Sequence, residues 1–236
     1  MASGLLARLR EAPERAGLLL DVDGVLAPIV RRPNDAIVPG ESRAELERLR
    51  DRYAVVACVS GRTSGDAERI VGVPGLVYLG SHGLELAPDA KRWEATLQGF
   101  AAGVDWPVED KGLTVSFHYR GAPDEAAARA ELELVAARAR EIGLKARFGR
   151  KVLELLPPIK ANKGTAVRSL LEERGLDRAL YAGDDTTDLD AFAAVAELGL
   201  GVRVAVASAE GPASLREAAD IVVASPAKLL ELLRTL

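Results

Sequence analysis

The feature that most constrains the fold is a set of short apolar runs that alternate with helical patterns along the chain. The runs are rich in Leu, Val and Ala, are bounded by turn residues, and lie at 18–22, 53–60, 179–183, 202–207 and 220–224. Strands that are buried on both faces read as continuous apolar runs, as in parallel sheets covered by helices. The alternation therefore predicts an α/β protein built on a mostly parallel, Rossmann-like sheet.

One region breaks this alternation. Its patterns are, in order, a strand, one long helix rich in Ala and Glu, and two further strands, at 113–120, 124–143, 145–149 and 151–157. Adjacent strands with one helix are typical of an α+β module with an antiparallel sheet. We therefore expect a core formed by residues 1–103 and 159–236, with an α+β domain of residues 104–158 inserted into it.

Composition excludes several classes of protein. Hydrophobic residues make up 48% of the 236 residues and charged residues 28%, which describes an ordinary globular protein. A net charge of -4 with intermixed signs provides no basic stripe for nucleic acid. No apolar run approaches the roughly 18 residues of a membrane-spanning helix, and the first residues lack the apolar core of a secretory signal. We expect a cytoplasmic monomer that binds neither nucleic acid nor membranes, in which the single cysteine, Cys58, is a packed core residue.

Three helix boundaries carry recognisable signals. Ser42 stands three residues before Glu45, which is the spacing of a capping box. Ser225 precedes Pro226, a pattern typical of an N-cap followed by proline in the first turn. Gly175 follows the pattern KGTAVRSLLEERG and is expected to end that helix.

Polar residues follow three of the apolar runs, at the points where the strands should end. In open parallel sheets, ligands bind outside the carboxyl ends of the strands. The polar groups expected at this edge, together with the start of the helix after the inserted domain, are Asp21, Asp23, Ser60, Gly61, Arg62, Lys163, Asp184, Asp185 and Asp188.

Each of these residues has an ordinary structural explanation when it is taken alone. A single Asp after a strand is usually a turn former, a Ser usually caps a helix, and a Lys is usually solvated. Their joint placement favours a functional site, because solvated turn residues have no reason to gather acids, a hydroxyl and a lysine at one edge of a sheet.

Phosphoryl transfer through a carboxylate is the chemistry that needs this set. Asp21 and Asp184 offer the hard oxygen ligands that suit Mg²⁺. Asp21 can act as a nucleophile that forms an aspartyl-phosphate, and Asp23, two residues on, can serve as the general acid and base. Lys163 and Ser60 would then hold the phosphoryl oxygens.

The motifs DVDGVL, VSGR, Lys163 and GDDTTD, in this order, resemble the four motifs of the haloacid dehalogenase superfamily of aspartate-nucleophile phosphatases. The resemblance implies that Asp23 also binds the metal through its main-chain carbonyl. It implies that Asp188 orients metal-bound water or the lysine, with Asp185 in a supporting role, and that Gly61 and Arg62 lie on the substrate side. One position departs from the pattern, because Val25 stands where the superfamily has threonine.

Within the superfamily the chain is most similar to trehalose-6-phosphate phosphatases. The blocks GSHGLEL, VEDKGLTVSFHYR, GRKVLELLPPIKANKGTAV and GDDTTDLDAF carry this resemblance. It implies that the inserted domain is a substrate-selecting cap domain and that the substrate is a small sugar phosphate, trehalose 6-phosphate. The residues that it assigns to the sugar or to the far side of the phosphate are His82, Glu109, Lys111, Arg120, Arg150 and Glu154.

Two alternatives remain open on the sequence. A phospho-aspartate receiver domain also gathers aspartates, a hydroxyl and a lysine at a sheet edge, although it places its acidic pair and its phosphate acceptor on separate strands. A phosphatase or mutase for a different sugar phosphate would keep the chemistry and change the substrate. For the cap residues, an ordinary strand position competes with sugar binding, and His118 is expected to be structural.

Overall fold

The structure, a computed structural model, describes residues 2–30, 32–149, 151–208 and 211–236. Its strands are β1 (Ala16–Leu20), β2 (Val55–Val59), β3 (Val77–Leu79), β4 (Val108–Asp110), β5 (Val115–His118), β6 (Lys145–Gly149), β7 (Val152–Leu156), β8 (Arg178–Gly183), β9 (Leu200–Val206) and β10 (Ile221–Val223). Its α-helices are α1 (Ala2–Arg10), α2 (Gly40–Arg50), α3 (Ser64–Val71), α4 (Glu94–Ala102), α5 (Glu125–Glu141), α6 (Lys163–Glu173), α7 (Asp188–Ala196), α8 (Ala213–Ala218) and α9 (Pro226–Leu233).

The first of two compact units is an α/β domain that comprises Met1–Gly83 and Ala161–Leu236. Its strands form one sheet in the order β10-β9-β8-β1-β2-β3, and every neighbouring pair is parallel. The prediction of a parallel core sheet is therefore confirmed. The short strand β3 was not predicted, although a run of four apolar residues at 76–79 stands between two glycines.

Both faces of this sheet are covered by helices. Successive residues of a strand point to opposite faces, so neighbouring residues of β1 pack against different helices. Leu18 and Leu20 pack into one apolar cluster with side chains of α1, α2, α3 and α9. Leu19 packs into the other cluster with side chains of α6, α7 and α8. All five residues of β1 are buried, which explains why the strand reads as an unbroken apolar run. Cys58 is fully buried in the first cluster, as expected.

Two of the three helix-boundary predictions are confirmed. The Ser225 hydroxyl accepts a hydrogen bond from the Lys228 amide at 3.3 Å, and Gly175, with a φ of 62°, follows the end of α6 in the left-handed region. The capping box at Ser42 is wrong. Helix α2 begins at Gly40 with Pro39 at its N-cap, so Ser42 lies inside the first turn and is buried.

The second compact unit, Leu84–Lys160, is an α+β domain. Its antiparallel sheet has the order β4-β5-β7-β6. One face of the sheet presents Phe117 and Leu153, which pack with side chains of α4 and α5 in a separate apolar cluster. The inserted α+β domain predicted from the sequence is therefore present, with one additional strand, β4, at its edge.

The second unit begins earlier in the chain than the sequence predicted. We placed its start at residue 104, whereas the compact unit starts at Leu84. Helix α4 accounts for the difference, because its side chains Leu97 and Ala101 are buried in the apolar cluster of the inserted domain. Within the described residues, none of the helices is long and apolar enough to cross a membrane.

Candidate active site

The candidate site lies at the carboxyl ends of three adjacent strands of the first unit. Asp21 follows β1, Ser60 follows β2, and Asp184 follows β8. Strand β1 lies between β8 and β2 in the sheet, so the three residues meet at one edge. All three are buried, with exposed fractions of 6%, 1% and 3% respectively. The sheet order therefore gathers residues that are far apart in the sequence.

Lys163, the first residue of α6, joins two of the acids. Its ammonium Nζ lies 2.7 Å from Asp21 Oδ2 and 2.7 Å from Asp188 Oδ1. Burial alone would lower the pKa of Lys163, but the adjacent Asp188 and Asp21 carboxylates hold it well above its usual value. Lys163 is therefore a fixed positive charge within the site.

Asp188 is the most completely hydrogen-bonded carboxylate of the group. Its Oδ1 accepts hydrogen bonds from Lys163 and from the Tyr181 hydroxyl at 2.7 Å. Its Oδ2 accepts from the amides of Asp184 and Asp185 at 2.8 and 2.9 Å. Burial opposes ionisation, yet Lys163 and these donors hold the pKa of Asp188 below its usual value. Asp188 thus organises both the lysine and the turn that carries Asp184.

Asp21 differs from Asp188 in its electrostatic environment. Burial raises the pKa of Asp21 well above its usual value, and the charges of Asp188 and Asp184 add to this, whereas Lys163 opposes it. Its Oδ1 accepts from the Val22 amide at 2.7 Å. With fewer donors than Asp188 has, the Asp21 carboxylate is the less stabilised partner of the shared lysine.

The donor set fits a hard divalent cation such as Mg²⁺. Carboxylate oxygens of Asp21, Asp184 and Asp188 lie within 4.8 Å of one another. Each Asp188 oxygen already accepts two hydrogen bonds, which uses all four of its lone-pair positions. Asp21 and Asp184 are therefore the side chains suited to bind the ion, which prefers few protein carboxylates together with water and phosphate.

Gly24 gives Asp184 the space to approach this position. It has a φ of 79°, in the region that side-chain-bearing residues rarely adopt. A Cβ at Gly24 would lie 1.9 Å from Asp184 Oδ2. The DVDG motif thus requires glycine so that the turn after β1 can pack against the Asp184 carboxylate.

Tyr181 is a site residue that the sequence analysis did not identify. It lies inside β8, is fully buried, and packs edge-to-face on Phe192 with ring centroids 6.1 Å apart. Its hydroxyl is the donor that pairs with Asp188. A tyrosine within the apolar run at 179–183 was the one available signal, since a buried hydroxyl needs a partner.

We expect Tyr181→Phe to lower the free energy of unfolding by about 1.5–3 kcal/mol, the usual range for a hydrogen bond to a charged group. Urea unfolding measures this loss. The matched control is Tyr78→Phe, which removes a hydroxyl bonded to the neutral Val73 carbonyl at 2.8 Å and should lose about 0.5–1.5 kcal/mol. Equal losses in the two variants would contradict a special contribution of the Asp188 contact.

Asp23 and Arg62 form a bidentate ion pair. Arg62 Nε donates to Asp23 Oδ2 at 2.7 Å, and Nη2 donates to Asp23 Oδ1 at 2.8 Å. The Arg62 side chain is 8% exposed and that of Asp23 is 34% exposed. Asp23, the residue predicted to act as both general acid and general base, is thus in direct contact with the arginine of the VSGR motif.

Ser60, Gly61 and His82 are packed closely together. The Ser60 hydroxyl accepts from the Arg62 amide at 3.1 Å, and the Ser60 carbonyl accepts from the His82 amide at 2.9 Å. A Cβ at Gly61 would lie 2.5 Å from His82 Nε2. Glycine is therefore needed after Ser60 to accommodate the His82 ring.

Two residues assigned to the sugar from the sequence lie on the sheet of the second unit, and a third, Lys111, directly follows β4. Glu109 on β4 and Glu154 on β7 both pair with Ser116 of β5, so they occupy one face of this sheet. Glu109 Oε2 lies 2.7 Å from His118 Nε2 and 3.5 Å from Lys111 Nζ. Although burial opposes ionisation, His118 and Lys111 keep the pKa of Glu109 below its usual value.

Glu154 is 6% exposed and forms an ion pair with Arg147 of the neighbouring strand β6. His118, which we expected to be structural, contacts the proposed sugar ligand Glu109. The structure places Arg120 near Glu125, whose pKa is lowered mainly by Lys151 and, more weakly, by Arg120. Arg150 lies outside the described residues.

The fold of this chain, with the parallel sheet that carries the site, is haloacid dehalogenase-like. A haloacid dehalogenase-like hydrolase from Bacteroides thetaiotaomicron has this fold, with a TM-score of 0.61 at 16% identity over 93% of this chain and 98% of that one. The C-terminal domain of the trehalose-6-phosphate phosphatase of C. albicans has a TM-score of 0.80 at 22% identity, covering 100% of this chain and 96% of that one.

The trehalose-phosphatase family model matches residues 19–107 and 101–226, so this chain belongs to that family. A trehalose-phosphate phosphatase of Mycobacterium marinum is 35% identical in an alignment 214 residues long that covers 80% of this chain. The chain spans 54% of that relative and 16% of a longer relative from Mycobacterium tuberculosis, named as an uncharacterized glycosyl hydrolase.

Proposed function

We propose that this chain hydrolyses trehalose 6-phosphate to trehalose and inorganic phosphate, with Mg²⁺ as its cofactor. The observation that carries the proposal is the buried Asp21 at the end of β1, 2.7 Å from Lys163 and grouped with Asp184, in a chain of the trehalose-phosphatase family. The name of the Mycobacterium marinum relative supports the choice of substrate.

In the first step, an Asp21 carboxylate oxygen attacks the phosphorus and forms an aspartyl-phosphate. The bond from phosphorus to the sugar oxygen breaks, and Asp23 transfers a proton to this leaving oxygen. In the second step, Asp23 takes a proton from water while the water oxygen attacks the phosphorus, and the bond to Asp21 breaks. One carboxyl group thus serves as acid and then as base, in keeping with its position two residues after the nucleophile.

The remaining core residues stabilise charge and hold positions. Lys163 and Ser60 are proposed to bind the phosphoryl oxygens, whose charge redistributes in the transition state. Asp21, Asp184 and the Asp23 carbonyl would hold Mg²⁺, which reduces the repulsion between the anionic nucleophile and the anionic phosphate. Asp188 keeps Lys163 in place, and Asp185 contributes its amide to Asp188.

The polar face of the sheet in the second unit is proposed to bind sugar hydroxyls. Glu109, Lys111 and Glu154 provide charged donors and acceptors, which form stronger hydrogen bonds to hydroxyls than neutral groups do. Arg120, Arg150 and His82 are proposed to assist in binding the sugar or the phosphate.

The proposed function is tested by measuring phosphate release from a panel of sugar phosphates, with Mg²⁺ and with EDTA. We expect trehalose 6-phosphate to have the highest kcat/KM and EDTA to abolish turnover. Higher kcat/KM for another sugar phosphate would overturn the substrate assignment. Stoichiometric labelling by acetyl phosphate without turnover would instead indicate a receiver-like protein.

We expect Glu154→Ala to lower kcat/KM for trehalose 6-phosphate. The corresponding loss of transition-state stabilisation should be about 1.5–3 kcal/mol, the cost of a lost hydrogen bond to a charged group. Hydrolysis of a small aryl phosphate, which has no sugar, should change little. Binding energy from groups remote from the phosphorus can affect kcat as well as KM, so the ratio of kcat/KM for the two substrates is the decisive measurement.

The control is Glu133→Ala, which removes a carboxylate that is 56% exposed on α5 and pairs with Arg129. This variant should keep the wild-type ratio. An unchanged ratio in Glu154→Ala would show that Glu154 is an ordinary strand residue.

A further inference from the structure

Most of the N–H donors of the Arg62 guanidinium form hydrogen bonds within the protein. Two of its N–H groups form the pair with Asp23, Nη1 donates to Asp66 Oδ2 at 2.7 Å, and Nη2 also donates to the Pro33 carbonyl at 2.9 Å. Four of the five N–H donors of a guanidinium are therefore used. This leaves little capacity for the substrate contact that the family resemblance implies for Arg62.

The arginine is also anchored along its backbone. Its amide donates to the Ser60 hydroxyl at 3.1 Å, and its carbonyl accepts from the Ser81 amide at 2.6 Å. The side chain is 8% exposed. Asp66, on the far side of the guanidinium, is itself held by Arg69, which donates to its Oδ1 at 2.6 Å. Several contacts that do not involve Asp23 therefore hold the Arg62 guanidinium in place.

Asp23, in contrast, is one-third exposed and follows the end of β1 in a turn. Two parallel hydrogen bonds from one guanidinium fix both the orientation of a carboxylate plane and its distance from the arginine, whereas a single hydrogen bond does not. This arrangement uses one lone pair on each Asp23 oxygen and leaves the second lone pair of each oxygen available to a reacting group. A carboxyl group that acts first on the leaving oxygen and then on water benefits from being held in this way.

We propose that Arg62 is a positioning residue that holds the Asp23 carboxylate in the orientation needed for both proton transfers. The inference rests on the proposed function, because it assumes that Asp23 acts as acid and base. A misplacement of about 1 Å can cost about 10²-fold in rate. Arg62→Gln should therefore lower kcat on trehalose 6-phosphate by about 10²-fold, with KM close to the wild-type value.

A double-mutant cycle tests the inference. Arg62→Gln, Asp23→Asn and the double variant are compared by kcat, with unfolding curves to verify that each is folded. If Arg62 acts through Asp23, its substitution should cost almost nothing further once Asp23 is Asn, since the effects of residues that act as a unit are not additive. Arg62→Lys, which keeps the charge but lacks the fork, should restore only part of the activity.

Additive losses in the cycle, or a raised KM with unchanged kcat in Arg62→Gln, would overturn the inference and indicate direct phosphate binding. The control is Arg203→Gln, which removes a bidentate pair of the same kind with Asp220, made by Nε at 2.9 Å and Nη2 at 2.7 Å, and it should retain wild-type kcat. If the wild-type protein hydrolyses a different alkyl phosphate and not trehalose 6-phosphate, the proposed substrate assignment is wrong. The double-mutant cycle is then measured with the alkyl phosphate that the enzyme hydrolyses. Wild-type kcat for Arg62→Gln on the substrate that the enzyme does hydrolyse would refute the inference alone.

Discussion

Asp21→Asn should reduce phosphate release by about 10⁴-fold or more, as expected when a nucleophile is removed. An amide does not form the acyl phosphate, so the covalent route is lost. Retention of more than about a tenth of wild-type activity, about 1.4 kcal/mol of barrier, would contradict the role of Asp21. The control is Asp51→Asn, since this carboxylate is 70% exposed and pairs with Arg50.

The fold of the Asp21→Asn variant should remain intact. Asparagine can still accept a hydrogen bond from the Val22 amide, and Lys163 keeps its partner Asp188. One of three clustered carboxylates is removed, which lessens the repulsion among them. We therefore expect an unfolding free energy no lower than that of the wild type, measured without Mg²⁺.

A second readout separates the nucleophile from other carboxylates. Wild-type protein quenched in acid during turnover of a substrate labelled in its phosphate should carry the label covalently, and Asp21→Asn should carry none. Label on both proteins at equal levels would place the covalent intermediate on a different residue.

Lys163→Met should lower the free energy of unfolding by about 3–5 kcal/mol, the usual loss when one partner of a buried ion pair is removed. Lys163 is 2% exposed, and its two carboxylate partners are 6% and 0% exposed. Without the ammonium, Asp21 and Asp188 would remain as buried acids with no opposite charge beside them. Urea unfolding at neutral pH is the measurement, and activity should also be lost.

The matched control is Arg168→Met on the same helix. Arg168 pairs with Glu197 through two hydrogen bonds, but the two side chains are 37% and 60% exposed. Exposed pairs contribute about 0–1 kcal/mol, so the two variants should differ clearly. Similar losses would show that burial of the Lys163 pair has no special cost.

If Lys163→Met does not fold, the variant that also carries Asp188→Asn provides the comparison. This second change removes one of the two uncompensated charges, so the double variant should be the more stable of the two. A double variant that is no more stable would mean that the charge of Asp188 is not the source of the loss.

The strands of the core were predictable because burial on both faces makes a strand uniformly apolar. The runs at 18–22, 53–60 and 179–183 correspond to β1, β2 and β8. The short strands β3 and β4 were not found. Strand β4 contains two acids and no apolar run, whereas β3 lies in a run of four apolar residues at 76–79 that was a missed signal. The capping box at Ser42 failed because the same Ser and Glu spacing also occurs inside a helix.

The sequence by itself determined which residue types stand at the ends of the strands, because strand ends are local features and the acids follow the apolar runs directly. Only the tertiary structure decided which of these residues pair. Lys163 contacts Asp188 across 25 positions of the chain, and Arg62 contacts Asp23 across 39. Such contacts depend on the order of strands in the sheet, which local patterns do not encode. The same is true of Tyr181. Its hydroxyl contacts Asp188 because the turn that follows β8 places Asp188 next to this strand.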